Sequence, residues 1–234
     1  MSVRGAQMVR THLNRERIAQ AALDFIDEHG SVSLSMRKLG TYLGVEAMAI
    51  YRHVEGREAL LDCVLQRLMS GVVDGLDEAL GQSWQGYLQD IAHRIRDVAI
   101  RHPKAFPLVV TQHPAAPWIR PPIRDLDLIE HLLRTLREYG LPDDMVVDVY
   151  QSFSSFLMGH LLLEAMHAGA DPTAPATAIR EEEAPAPAPF GRINLDTHPT
   201  VQELSGLLQR NTSEEQFEIG LEAMIDRIEA NLRS

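Results

Sequence analysis

The side chains whose types and spacing could do chemistry cluster in residues 35–57, where arginines and hydroxyl groups flank two short helical patterns. Ser35 is placed to cap a helix with an apolar stripe, and Gly44 is placed to end it. A second short helix is predicted at about 46–53. Two helices joined by a tight glycine turn form the unit that places the second helix in the major groove of DNA. The pattern therefore predicts a helix-turn-helix over about 35–51, although helix-glycine-helix also occurs in many other α-domains.

A second candidate group is formed by His160, Glu164 and His167, which recur at i, i+4 and i+7 on one face of a long predicted helix. Glu-x-x-His is a spacing used in di-metal helix bundles, which also need carboxylates on facing helices. The sequence holds no second copy, so we interpret the group as a polar patch and predict neither a metal nor a cofactor. The sequence also lacks a Gly-rich phosphate loop, a G-x-S-x-G motif and a closely spaced acid pair, which argues against a helical enzyme.

The elements that must position these residues are helices throughout, because apolar residues recur with a period near 3.6 and strand patterns are nearly absent. We therefore expect an all-α fold. Residues 1–60, here called the head, are predicted to form a three-helix domain that contains the helix-turn-helix. Residues 61–234, the body, are predicted to form a larger helical domain. Within it, the stretch at about 169–200 is rich in Ala, Pro and Glu and is predicted to be a flexible loop. Ser213-Glu214-Glu215-Gln216 matches a capping box that would open the last helix.

The net charge of −11 at first argues against a nucleic-acid partner, because neutralising phosphates is the main source of such affinity. Its distribution matters more. The head holds eight of the 22 basic residues and seven of the 33 acidic residues. The body therefore holds 14 basic and 26 acidic residues. That polarity would orient the head toward DNA. No apolar run reaches the roughly 18 residues of a membrane span, and residues 1–10 lack the apolar segment of a secretory signal. We therefore expect a cytoplasmic protein with no membrane partner.

Several short motifs stand in order along the chain. In the head these are Met36-Arg37-Lys38-Leu39, Leu43-Gly44-Val45, Ile50-Tyr51-Arg52-His53-Val54 and Leu60-Leu61. In order and spacing they resemble the TetR family of transcriptional regulators. In the body, Ser83-Trp84-Gln85, Arg101-His102-Pro103 and Phe156-Leu157-Met158-Gly159 resemble the C-terminal domain of the tetracycline-repressor branch. The resemblance implies an all-α homodimer with a DNA-binding N-terminal domain and a small-molecule effector pocket in the larger domain.

The resemblance also assigns roles in DNA binding. Ala47, Met48, Ala49 and Tyr51 match the part of the recognition helix with which the family contacts bases. The first three have no hydrogen-bonding side chain, so they are suited to thymine methyls or to DNA shape. Arg52 is then a candidate for reading a base, with a phosphate contact as its alternative.

Four further residues match family positions near the DNA backbone: Ser35, Arg37, His53 and Arg57, with Tyr51 also close to it. Arg57 stands where the family usually has Lys, at the start of the fourth helix, where charge and helix dipole together suit a phosphate. Two structural alternatives remain open from the residues alone. Arg37 could pair with Glu46 on the surface, and Tyr51 could cap the small core of the head.

An effector pocket should have apolar walls and a few polar groups that orient the ligand. The tetracycline repressors hold a drug-bound magnesium partly through a His near the position where this chain has Val109. Because valine is not a metal ligand, this difference argues against a tetracycline–magnesium ligand. Our candidates for the ligand-binding wall are Trp84, Leu88, Ile91, Ile95, Val109, His113, Trp118, Phe153, Phe156, Leu157 and His160.

The sequence thus predicts a ligand-responsive transcriptional regulator and not an enzyme. As in the family, it would be a repressor that a small molecule releases from a palindromic operator in double-stranded DNA. A symmetric dimer fits two half-sites about one turn of DNA apart. The alternative is a helical protein-interaction bundle without specific DNA binding, which the weak positive charge of the head and the Ala47-Met48-Ala49 sequence leave open.

Overall fold

The computed structural model describes residues 13–76, 83–171, 197–209 and 212–232. Within these ranges the chain forms helices and turns and no β-strand, which confirms the all-α fold class. Short 3-10 turns at Ser31–Ser33 and Phe106–Val110 join some of the helices. The α-helices are α1 (Arg15–His29), α2 (Met36–Leu43), α3 (Ala47–Tyr51), α4 (Arg57–Leu68), α5 (Trp84–Arg101), α6 (Leu126–Glu138), α7 (Asp143–His167), α8 (Pro199–Leu208) and α9 (Ser213–Leu232).

The head is built around α1. The Asn14 side chain accepts a hydrogen bond from the Arg17 N–H at 2.8 Å and so caps one of the unpaired amides at the helix start. Helix α1 ends before Gly30, whose N–H donates to the Ile26 carbonyl and whose φ of 81° suits a residue without a Cβ. The apolar residues of α1 form one buried stripe, which contains Ile18, Ala21, Ala22, Phe25 and Ile26. Helix α1 packs against both α2 and α4.

Helix α4 crosses the predicted boundary between head and body. It runs from Arg57 to Leu68, so residue 60 lies inside it, and it packs against α1 on the head side. It also contacts the Phe106–Val110 turn of the body. A displacement of α4 would therefore move the head relative to the body, because one rigid helix belongs to the packing of both.

The body packs α5 and α6 against α7, while α9 covers another side of α7. Helix α7 buries side chains on most of its circumference, as its apolar sequence predicts. The buried apolar residues form one continuous core that extends from α1 to α9. None of the described helices is long and apolar enough to span a membrane.

Two sequence predictions concern residues 169–216, toward the C-terminal end. Most of the predicted flexible loop at 169–200 lies outside the described residues, which resume at Thr197. The predicted capping box was wrong by one residue, because α9 already begins at Ser213 and the Gln216 N–H donates to the Thr212 carbonyl. The sequence contains two overlapping boxes, Ser213 to Gln216 and Thr212 to Glu215, and the helix starts after the threonine.

Candidate nucleic-acid interface and effector cavity

The turn between α2 and α3 has the helix cap and the turn glycine that the sequence predicts. Ser35 caps α2, since its Oγ accepts from the Lys38 N–H at 3.2 Å. Gly44 adopts the left-handed conformation with a φ of 69°, and its N–H donates to the Thr41 carbonyl. The Val45 N–H then donates to the Gly40 carbonyl at 2.9 Å. These bonds end α2 and turn the chain into α3 within three residues.

Gly40 is a structural residue of this turn that the sequence reasoning missed. A Cβ on Gly40 would lie 2.9 Å from the Val45 carbonyl oxygen and 3.3 Å from the Ala47 nitrogen, both of which are backbone atoms. The helices α2 and α3 therefore approach each other where only hydrogen fits. A glycine four residues before the turn glycine was the available sign of this close approach.

Helix α3 is anchored by one residue and otherwise faces outward. Ile50 is completely buried, whereas Met48 is 69% exposed and Tyr51 is also exposed. Ala47 and Ala49 are half-buried. The helix is shorter than predicted, because the His53 N–H donates to the Ile50 carbonyl in a tighter final turn. The exposed surface of α3 thus carries methyl, thioether and phenol groups and no charge.

The cationic candidates surround α3. Arg37 and Arg52 are exposed, and no ion pair joins Arg37 to Glu46 in the part of the chain that the structure describes. His53 is half-buried. Arg57 is the first residue of α4, whose preceding Gly56 supplies no side-chain cap, and its Nε is buried without a hydrogen-bond partner among the described residues.

A small internal cavity lies in the body between α5, α6 and α7. Its volume is about 10 Å³, close to the space that one water molecule needs. The only polar side chains on its wall are Tyr150 and Ser154, and none of its lining residues is charged. Burial raises the pKa of Tyr150 to about 12, and its hydroxyl donates to the Pro121 carbonyl at 3.0 Å. The lining residues are Ile91, Ile95, Ile123, Leu128, Ile129, Leu132, Tyr150, Phe153, Ser154, Leu157 and Met158.

Four of the sequence-predicted wall residues line this cavity: Ile91, Ile95, Phe153 and Leu157. The α7 lining recurs at i, i+3, i+4, i+7 and i+8, a single helical face that also contains Tyr150, Ser154 and Met158. This helical period was the sequence signal from which Tyr150, Ser154 and Met158 could have been predicted. Phe156 and His160 lie on another side of α7, where Phe156 stacks on Phe217 of α9 at 6.2 Å and His160 lies 5.5 Å from the same ring.

The other wall candidates lie away from the cavity lining. Leu88 and Val109 are fully buried in the core, and Trp84 is half-buried at the start of α5. The His113 Nδ1 accepts from the Ala115 N–H at 3.1 Å and so stabilises its own turn. Trp118 is 76% exposed.

The histidine and carboxylate group of α7 is engaged in other contacts. Glu164 accepts two hydrogen bonds from the Arg96 guanidinium of α5, at 2.9 and 3.1 Å. His160 Nε2 lies 3.1 Å from the Ser213 carbonyl, and His167 Nδ1 lies 2.8 Å from the Leu163 carbonyl. In the described ranges, no three His, Cys, Asp or Glu side chains are placed together to hold a metal ion.

Within the described chain, residues 102–124 of the body make polar contacts with α1 of the head and with α4. On the α1 side, His102 Nδ1 lies 2.7 Å from Asp27 Oδ2, and Lys104 Nζ donates to the Glu28 carbonyl. Burial raises the pKa of Asp27, although the nearby His102 opposes that shift. On the α4 side, the buried Arg124 guanidinium contacts Glu58 and Asp62 at 2.7 and 2.9 Å.

The chain is similar in sequence to known proteins. Residues 78–232 match the family model described as the tetracyclin repressor-like C-terminal domain. The tetracycline repressor protein class D of Escherichia coli is 28% identical over 220 residues, which cover 94% of this chain and 91% of the relative. An HTH-type transcriptional repressor of Streptomyces coeruleorubidus is 30% identical over 147 residues, covering 63% of this chain and 52% of its own length.

The fold also matches solved structures. A possible TetR-family regulator from Streptomyces coelicolor A3(2) superposes with a TM-score of 0.68 at 24% identity, covering 93% of this chain and 99% of its own. The family model covers well over half of the chain, and the helix-turn-helix geometry precedes it in the order that the sequence motifs predicted. The chain therefore belongs to the TetR family of transcriptional regulators, in the branch with a tetracycline repressor-like C-terminal domain.

Proposed function

We propose that this protein is a homodimeric repressor that binds a palindromic operator through α3 and leaves it when a small molecule enters the body cavity. The observation that carries the proposal is the head geometry, in which Gly40 and Gly44 hold α2 and α3 in close contact and leave the outer face of α3 free to enter a major groove. In this proposal residues 1–60 bind DNA, residues 61–234 bind the effector and form the dimer, and α4 is shared by the two.

The proposed DNA contacts divide into two kinds. Ala47, Met48 and Ala49 offer methyl and thioether groups, which suit thymine methyls and DNA shape. Arg52 would read a base edge, and the remaining candidates would contact the phosphate backbone. Arg57 is the best supported of these, because it is the first residue of α4 and the preceding Gly56 supplies no side-chain cap at that helix start. The other backbone candidates are Ser35, Arg37, Tyr51 and His53.

The proposed dimer interface uses the faces of α7 and α9 that the rest of the described body leaves uncovered. Val147, Leu163 and Met166 of α7 and Ile219 of α9 are exposed, and Leu163 is 58% exposed. Two such helices from each of two subunits would bury these side chains in a symmetric four-helix contact. The symmetry of that contact would match the symmetry of a palindromic operator.

The proposed effector is uncharged and mainly apolar. A charged ligand would lose its hydration on entering this cavity without finding an opposite charge on the lining. The Tyr150 and Ser154 hydroxyls could each make one hydrogen bond to it. A typical ligand site is roughly 300–1,000 Å³, so the cavity must enlarge by displacing its walls when the effector binds.

The experiment that tests the proposal is selection of bound sites from random duplex DNA with the purified full chain, repeated at several salt concentrations. We expect a palindrome with half-sites about one helical turn apart, and an affinity that falls log-linearly as salt rises. A protein-interaction bundle would select no sequence and show no such salt dependence. Recovery of a non-palindromic site would contradict the symmetric dimer while leaving DNA binding in place.

A further inference from the structure

Arg124 is the most deeply buried charged side chain among the described residues that the DNA and effector sites do not use. It is 6% exposed and lies just before α6. Its Nη2 donates to Glu58 Oε2 at 2.7 Å and to Asp62 Oδ1 at 2.9 Å, and its Nε donates to Asp62 Oδ1 at 3.0 Å. Glu58 and Asp62 are one turn apart on α4, so a single guanidinium from the body holds one face of that helix.

The same short segment forms part of the cavity. The Ile123 side chain lines the cavity directly before Arg124. Directly after it, the Asp125 side chain caps α6 by accepting from the Leu128 N–H at 3.0 Å, and Leu128 is also a lining residue. Residues 123–125 therefore connect the cavity wall to the guanidinium within three positions.

Two further bonds tie this segment to its surroundings. The Arg124 N–H donates to the Val109 carbonyl at 3.0 Å, which fixes the backbone against the Phe106–Val110 turn. The cavity residue Tyr150 donates to the Pro121 carbonyl, three residues upstream. Any ligand that displaces Tyr150 or Ile123 thus acts on the backbone that carries Arg124.

We propose that Arg124 is the positioning residue through which a change in the cavity reaches α4 and, from there, the DNA-binding head. The proposal rests on the proposed function for its DNA readout. Filling the cavity shifts residues 121–128, and Arg124 moves with them. Because a buried guanidinium cannot lose its carboxylate partners cheaply, Glu58 and Asp62 follow it and α4 tilts. Arg57, which directly precedes Glu58, then leaves the position from which it contacts phosphate.

The test is a double-mutant cycle that needs no identified effector. Ser154→Leu overfills the cavity, whose volume is about 10 Å³, and serves as the perturbation. Affinity is measured for a duplex selected with the wild-type chain. We expect Ser154→Leu alone to weaken duplex binding by about tenfold, a typical coupling between two sites. In the Arg124→Met background, the same substitution should change duplex affinity by less than about twofold.

A second measurement requires no DNA. Amide hydrogen exchange over residues 57–68 reports the local stability of α4. Ser154→Leu should speed that exchange in the wild-type background and leave it unchanged in the Arg124→Met background. If wild-type protein selects no duplex, the proposed function fails, and the exchange result still decides the role of Arg124. Ser154→Val supplies a milder perturbation if Ser154→Leu does not fold.

Arg96→Met is the matched control, because Arg96 is a second partly buried arginine in a bidentate carboxylate pair, but that pair lies within the body. It should lower the unfolding midpoint while leaving the effect of Ser154→Leu on duplex affinity and exchange intact. Arg124→Lys should retain part of the coupling, because an ammonium can pair with one of the two carboxylates. The proposal is overturned if the Ser154→Leu effect persists in full in Arg124→Met, or if Arg96→Met abolishes it equally.

Discussion

The outer face of α3 and the cavity face of α7 are both poor in charged side chains, but they differ in what surrounds them. On α3, Met48 and Tyr51 project into solvent and arginines stand on the neighbouring elements. On α7, Phe153 and Leu157 are fully buried among the side chains of α5 and α6. The difference shows that an apolar helix face has different consequences on the surface and in the core. In the proposed function, the apolar face of α3 depends on nearby charge to attract DNA, whereas the cavity face of α7 would select a ligand by shape and by the absence of charge.

Truncating one aromatic or large side chain in each region should give the largest contrast. Phe153→Ala should lower the free energy of unfolding by about 3–5 kcal/mol, because it removes a buried ring and leaves a larger cavity. Met48→Ala should change it by less than about 0.5 kcal/mol, since Met48 is mostly exposed. Urea denaturation at one fixed protein concentration measures both. Equal losses would show that Met48 is buried in solution and would break the comparison.

The close approach of α2 and α3 provides the next contrast. Gly40→Ala places a Cβ 2.9 Å from the Val45 carbonyl, so α3 must shift, at a cost of about 1–3 kcal/mol. We expect duplex binding to fall by more than stability alone explains, because α3 loses its orientation. Gly206→Ala is the control, as a Cβ at that helical glycine would meet no atom within 4 Å beyond the neighbouring backbone of its own helix. Normal duplex affinity in Gly40→Ala would contradict this account of the turn.

The sequence predicted the head better than the cavity, and the reason is physical. The cap at Ser35 and the turn at Gly44 depend on bonds between residues three or four positions apart, so local sequence patterns report them. The cavity is formed by three helices whose lining residues run from 91 to 158, and its location depends on how those helices pack. Helical period identifies the apolar face of α7, but it does not say which of its neighbours leaves a gap.

Arg124 shows the limit of sequence reasoning more sharply. Its partners Glu58 and Asp62 lie more than 60 residues away, and an arginine before a helix usually lies on the surface. Nothing in the local pattern separates it from Arg120, which is exposed and donates to carbonyls of its own loop. Only the folded arrangement distinguishes a buried arginine that joins two regions from one that stabilises a turn.

Within the head, the two exposed arginines should behave differently. Arg52→Ala should cost about 1–3 kcal/mol at one operator position if the side chain reads a base edge. Arg37→Ala should weaken binding to all sequences evenly and reduce the slope of log affinity against log salt by about one. Binding to a panel of single-base variants of the selected duplex separates the outcomes. An even loss in Arg52→Ala would make Arg52 a phosphate contact and leave α3 with only methyl and shape contacts.

The smallest expected effect is on the pH dependence of stability, and it is tested by substituting one tyrosine in each region. The neutral phenol of Tyr150 is favoured in the folded state, where burial raises its pKa to about 12 from the ordinary 10.0. Its contribution to stability is therefore complete below pH 10 and is lost as pH rises from 10 through 12.

Tyr150→Phe should remove this part of the decline in unfolding midpoint on the alkaline side. It should also cost about 1 kcal/mol at every pH through the lost hydrogen bond to Pro121. Tyr51→Phe, at an exposed position on α3, should change the unfolding midpoint at neutral pH very little, since surface substitutions rarely affect stability. A decline that is equally steep in Tyr150→Phe would mean that the phenol reaches solvent, and the cavity wall would then offer a ligand an open polar edge.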